Sequence, residues 1–377
     1  MAWYNLTNES AIDSPSLLVY KARVAANIQK MIELAGGPDA LFVHIKTNKT
    51  PEIVQMMLDA DIQKFKCATI AEAEMVCMAG GKFLIIAHQL VGPKIERLLQ
   101  LRQKYPDVRI ASLVDDAQVA QQMNDLFGQH HLKTDVLMDI NNGMDRSGFQ
   151  VVTAAQAQQA ADFYQTLHQL PHLRCLGLHV YDGHVREADF EARKAKLDAG
   201  FEAVKMLLGY IKNAQLPNPM VVAGGTPAFT AHVQRVEDIN NIVYSPGTCV
   251  LWDWGYGDAL IEQPFEYAAL ILTRVISKPA EGIVAIDMGH KAVAAENLIQ
   301  KRIRFLNLSD YELIGQSEEH GVLRVKDWEN IHVGDVLYGV PYHICPTVNL
   351  YEEMQVVENQ TVTQTWQVLA RRRKLTL

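Results

Sequence analysis

Over its first two thirds the chain alternates short strand-like runs with stretches of helical spacing. The strand-like runs fall at 41–46, 64–68, 83–88, 109–114, 135–140, 174–180, 220–223 and 241–245. Between them, apolar residues recur at helical intervals over 51–60, 70–79, 93–104, 117–127, 154–169 and 188–212. Several of these helices open on recognisable starts, such as Thr50-Pro51 or Asp115-Asp116. Eight strands joined by helical crossovers predict an α/β fold, a closed parallel (β/α)8 barrel. An open doubly wound sheet would place a G-x-G-x-x-G turn after its first strand, and none is present there.

The texture changes after Thr248. Residues 264–276, 282–287, 302–307, 311–316, 321–325 and 335–340 alternate apolar with polar and hold few helix formers, as do 355–357 and 363–368. This predicts two domains: a barrel over 12–248 and a β-rich C-terminal domain over 249–377, with residues 1–11 packing against the second. A length of 377 residues fits two domains.

Charge narrows the partners. With 35 Lys+Arg against 43 Asp+Glu, neither nucleic acid nor an anionic membrane is expected. The one basic run, Arg371-Arg372-Arg373-Lys374, reads as a solvated tail. No stretch reads as a leader peptide or a membrane span, so a cytoplasmic protein is expected. Cys67, Cys77, Cys175, Cys249 and Cys345 show no CxxC spacing and read as reduced thiols.

The candidate chemistry gathers at the carboxyl ends of the predicted strands, where such barrels build active sites. Parity puts Phe42, His44 and Lys46 on one side of the first strand, leaving Lys46 at its end. A partly desolvated amine there suits a Schiff base with a carbonyl cofactor. Lys49, on the turn, is the rival nucleophile. Two glycine loops, Ala223-Gly224-Gly225-Thr226-Pro227 and Ser245-Pro246-Gly247-Thr248, follow the last two strands, where barrels commonly hold a phosphate. Asp139 to Gly148 ends the fifth strand with a polar loop carrying Arg146, a donor for an anionic ring oxygen. His179-Val180-Tyr181-Asp182-Gly183-His184 ends the sixth, with groups able to stack on a ring or move protons. In Pro341-Tyr342-His343-Ile344-Cys345-Pro346, an extended backbone would point His343 and Cys345 the same way, toward one cation. Sulfur with imidazole suits Zn²⁺ better than Mg²⁺.

Taken together and in order, HIKTNK, IAHQLVG, INNGMDRSGF, GLHVYDGH, GGTP, SPGT, DMGHKAV, SEEHG and PYHICPTVN resemble the D-threonine aldolase and eukaryotic-type D-serine dehydratase family. These are pyridoxal-phosphate enzymes of the alanine-racemase-like barrel class. The resemblance implies an imine between pyridoxal 5'-phosphate and Lys46, and a phosphate held by Gly224, Gly225, Thr226, Gly247 and Thr248. It also implies Arg146 at the cofactor's phenolic oxygen, Tyr181 beside its ring, and a divalent metal, Zn or Mn, on His343 and Cys345. D-threonine aldolases carry a further histidine past the strand-six tyrosine, and here His184 is the candidate base. Alanine racemases bring a second catalytic tyrosine from a partner subunit. No motif here matches it, which counts against racemisation. The implied activity is retro-aldol cleavage of a β-hydroxy-D-amino acid to glycine plus an aldehyde. D-serine dehydratase chemistry is the alternative, and a racemase or a non-catalytic cofactor carrier the more distant ones. A homodimer acting on a small D-amino acid is expected.

Overall fold

The computed structural model describes residues 2–235 and 239–377. They form two compact units: residues 31–46, 54–247 and 372–377 in one, and residues 2–30, 47–53 and 248–371 in the other.

The first unit is the parallel barrel. Its strands are Val43–His44, Lys64–Cys67, Phe83–Gln89, Arg109–Val114, Thr134–Asn141, Leu173–Val180, Met220–Ala223 and Ile242–Tyr244, each paired in parallel with the next. A bridge between Leu41 and Tyr244 closes the ring, with Phe42 N donating to Tyr244 O and His44 N to Pro246 O, both at 2.8 Å. Alternation fills the inside. Phe42, Ile85, Ala111, Leu113, Leu137 and Val222 form one apolar cluster, while the other side of each strand faces the helices. The helices Ile70–Met78, Pro93–Lys104, Ala117–Gln129, Ala154–Gln169 and Phe190–Asn213 lie where the spacing predicts them. Four begin on side-chain caps from Thr69, Asp116, Thr153 and Asp189, which satisfy otherwise unpaired first-turn amides.

The second unit is β-rich. Ala269–Ala280 pairs with Ile283–Ile286 and Val336–Pro341, and Glu353–Glu358 with Thr361–Gln367. Ala269–Ala280 is apolar at consecutive positions because it is covered on both faces. Leu270 and Leu272 join a cluster with Leu6, Leu18, Tyr20, Tyr338 and Val340, whereas Ile271 and Val275 join Val284, Leu313 and Leu323.

One boundary differs from the expected one. The barrel unit begins at Met31, not at residue 12, because Ser16–Tyr20 is a strand of the second unit. It runs antiparallel to Ala269–Ala280 and parallel to Glu353–Glu358. The last residues, 372–377, belong to the barrel unit, where Glu74 accepts from Thr376 N at 3.1 Å. Among the described residues no helix is long and apolar enough to cross a membrane.

Candidate active site at the barrel mouth

Lys46 lies in the turn that follows the short strand Val43–His44. Its amine is 6.0 Å from the centre of the Tyr181 ring, just beyond the sixth strand. Two more cations approach the same ring: the Arg146 guanidinium at 4.6 Å and the Lys66 amine at 5.5 Å. His179 lies nearly parallel to it, 6.4 Å away at 12°. Glycine makes this crowding possible, since a methyl group on Gly183 or Gly225 would run into the Tyr181 ring. The Lys46 amine and the Arg146 guanidinium, converging on one spot with the Lys66 amine beside them, create a positive potential suited to an anionic ligand.

A polar row runs inward from the exposed Ser147 to the buried Asp139 and His179. Ser147 Oγ donates to Asp139 Oδ2 at 3.0 Å, and Asp139 Oδ1 is 2.7 Å from His179 Nδ1. Proton donation to that carboxylate leaves His179 Nε2 as an acceptor for Lys66 Nζ, 3.4 Å away. Lys66 also donates to Gly224 O at 3.5 Å. Burial, reinforced by Lys46, pushes the Lys66 ammonium down to about 7 against the pull of Asp139 and Asp182. Burial and then Lys66 likewise lower His179. A second, buried row joins Asp182 Oδ2 to His232 Nε2 at 2.6 Å, with Arg235 Nε donating to His232 Nδ1 at 3.1 Å. Asp182 Oδ1 is left buried without a hydrogen-bond partner.

The two glycine loops meet. Gly247 N donates to Thr226 Oγ1 at 3.1 Å, tying the seventh-strand loop to the eighth. Gly224 has φ +61°, a left-handed conformation that a side chain strains. A methyl group on Gly247 would sit 2.6 Å from His44 O, so only glycine lets these strands close at this point. Gly247→Ala is therefore expected to destabilise the fold by about 1–3 kcal/mol through the forced backbone shift. Urea unfolding checks this, and an unchanged midpoint would show that the loop has room.

His184, the candidate base, lies beside Gly143 of the fifth-strand loop, with its Nδ1 buried and without a hydrogen-bond partner. The structure thus brings Lys46, Arg146, Tyr181, Gly225 and the Thr226–Gly247 contact together and sets His184 against the fifth-strand loop. Lys66 and the Asp139 contact to His179 were not singled out by the sequence reading. Lys66 was findable, because it lies near the end of the second strand, in register with His44 and so on the parity that made Lys46 conspicuous.

The expected metal pair belongs to the second unit. His343 is extended, but Cys345 is not, since Ile344–Val348 is a short helix with His343 as its N-cap. The expected extended segment is corrected here. Pro346 falls in the first turn, where a missing N–H breaks no helical hydrogen bond. The two side chains still meet: His343 is hydrogen-bonded to Cys345, and its Nδ1 is 2.6 Å from Glu296 Oε1. Burial alone would lower His343, but Cys345 and Glu296 together raise it to about 9. The buried Asp253 carboxylate accepts from Ile344 N at 3.0 Å and fixes the start of this turn. Around the sulfur stand Thr47 Oγ1 at 3.1 Å and Thr248 Oγ1 at 3.5 Å. Thr248 thus neighbours the thiol within the second unit. A thiol and an imidazole with its other nitrogen held by a carboxylate form a donor set suited to a borderline-soft divalent cation. Among the described residues no group of three or more His, Cys, Asp or Glu side chains is placed to hold a metal ion.

Residues 19–250 match the family described as alanine racemase, N-terminal domain, and residues 268–357 match a putative serine dehydratase domain. Two relatives span almost the whole chain. A D-threonine aldolase from Arthrobacter sp is 29% identical over 96% of this chain and 93% of its own. A 3-hydroxy-D-aspartate aldolase from Paracoccus denitrificans (strain Pd 1222) is 29% identical over 97% and 93%. The crystal structure of D-threonine aldolase from Filomicrobium marinum superposes with a TM-score of 0.86, at 24% identity over 98% of both chains, and shares the fold. The chain belongs to the alanine racemase N-terminal domain family, in its D-threonine aldolase group of lyases, with the alanine-racemase-like fold.

Proposed function

We propose that the chain is a pyridoxal-phosphate- and metal-dependent lyase of β-hydroxy-D-amino acids, cleaving its substrate to glycine plus an aldehyde. The observation that carries this reading is the convergence of Lys46, Arg146 and Lys66 on the Tyr181 ring above glycine loops that meet at Thr226 and Gly247. In this reading Lys46 Nζ holds the cofactor, and the amides of Gly224, Gly225 and Gly247 with Thr226 cradle its phosphate. Thr248 adds a hydroxyl, Arg146 faces the ring oxygen and Tyr181 flanks the ring. When bound, the cofactor supplies an electron sink for a bond breaking at Cα. A cation on His343 and Cys345, Zn²⁺ or Mn²⁺, supplies a Lewis acid for the β-hydroxyl. His184 takes the hydroxyl proton, and Lys46, freed by the substrate amine, holds or delivers a proton at Cα.

The dehydratase alternative uses the same parts, with Lys46 removing the α-proton, and is favoured by the serine dehydratase match over residues 268–357. Pure protein incubated with D-threonine, D-serine and D-3-hydroxyaspartate separates the two. Glycine release is expected, and keto acid without glycine would reverse the assignment.

Glu296 tests the metal half of the reading. Its contact to His343 Nδ1 directs Nε2 to the cation, an outer-shell role whose loss typically weakens binding about 10- to 100-fold. Glu296→Gln is expected to lower Zn²⁺ or Mn²⁺ affinity by that factor in calorimetry. Unchanged affinity would leave Glu296 a surface partner only.

A further inference from the structure

Among the described residues, Lys66 is the one buried amine at the barrel mouth to which the mechanism above gives no chemical step. It is 2% exposed and is the last residue but one of the strand Lys64–Cys67. Among the described residues it forms no ion pair. Its contacts are the His179 nitrogen, the Gly224 carbonyl and the Tyr181 ring. The hydrogen-bond directions constrain it closely. Asp139 fixes the His179 tautomer so that Nε2 accepts, and Gly224 O can only accept. Two N–H bonds of Lys66 are thereby committed, and the tetrahedral nitrogen has one position left, away from both acceptors. The Tyr181 ring, the common neighbour of Lys46 and Lys66, marks the space they share. Burial beside Lys46 and Arg146 favours the neutral amine, in which that last position is a lone pair.

We propose that Lys66 is a second nucleophile of this pocket, able to capture an aldehyde-bearing cofactor when Lys46 is missing. This rests on the pyridoxal-phosphate reading above. The step balances without an oxidant or reductant. The Lys66 lone pair attacks the aldehyde carbon, a carbon–nitrogen double bond forms, and the carbonyl oxygen leaves as water with the two amine protons. Where Lys46 already holds the cofactor, the same attack exchanges one amine for the other, and Lys46 departs as a free amine. Lys66 thus gives the pocket a means of retaining the cofactor while Lys46 is engaged elsewhere.

The test uses the full chain loaded with pyridoxal phosphate, reduced with borohydride and mapped by peptide mass spectrometry. In the wild type the label is expected on the peptide carrying Lys46. In Lys46→Ala it is expected to move to the peptide carrying Lys66, and in Lys46→Ala/Lys66→Met to be lost from both. Circular dichroism on each variant confirms folding, and Lys46→Met repeats the measurement with a bulkier replacement. Wild type labelled at Lys46, with folded Lys46→Ala and Lys46→Met unlabelled at Lys66, would overturn the proposal and leave the cofactor reading intact. Wild type labelled at Lys66 alone would support Lys66 as nucleophile and overturn Lys46 as the anchor. No label at either lysine would overturn both.

Discussion

Lys46→Ala is expected to lower turnover of the preferred β-hydroxy-D-amino acid by at least roughly four orders of magnitude, since in the proposed mechanism one amine both anchors the cofactor and moves a proton at Cα. The loss should fall on kcat and kcat/KM alike, because the proton is carried in the transition state. The Arg146 guanidinium at the Tyr181 ring should still attract the phosphate-bearing cofactor, and the Lys66 amine remains beside it. Cofactor affinity is therefore expected to fall less than turnover. Initial rates of glycine release, together with equilibrium dialysis of the cofactor, measure both. Turnover within tenfold of wild type would remove Lys46 from the chemistry.

Removing the metal should have the second largest effect. A Lewis acid on a departing or deprotonating oxygen contributes several kcal/mol of transition-state stabilisation. At about 1.4 kcal/mol per decade, that corresponds to a loss on the order of 10³-fold. His343→Ala and Cys345→Ala should each show it, and chelation of the wild type should reproduce it and be reversed by Zn²⁺ or Mn²⁺. The two variants should not be additive, because either alone leaves the cation a single protein ligand. Protein shown by elemental analysis to be metal-free, yet fully active, would end the metal half of the mechanism.

The barrel was legible because each of its strands alternates or runs apolar over its whole length, and each crossover helix shows its own spacing. Lys46 was legible for a related reason: parity and position at a strand end are local properties. Partnership across the chain is not local. Ser16–Tyr20 reads SLLVY and leads directly into Lys21–Ala35, which is what a barrel strand and its helix would look like. Only its pairing with Ala269–Ala280 and Glu353–Glu358 reveals that it belongs elsewhere. The nearness of His343 to Cys345 was legible from their spacing, but their backbone was not, since Pro346 is equally at home in a stiff strand and in a helical first turn. Glu296 had no local signal, being brought to His343 from 47 positions away.

The placement of Ser16–Tyr20 also bears on how the chain is made. All eight barrel strands leave the ribosome before Ala269–Ala280, the first partner that this N-terminal segment can pair with. About 250 residues separate the two, and at roughly 5–20 residues per second of synthesis the gap lasts about 12–50 s. During that interval an apolar Leu17-Leu18-Val19-Tyr20 stretch has emerged with neither neighbour available. The nascent polypeptide thus carries an unpaired, sticky edge for most of its elongation, and shielding of that edge by a chaperone should govern its yield in a cell.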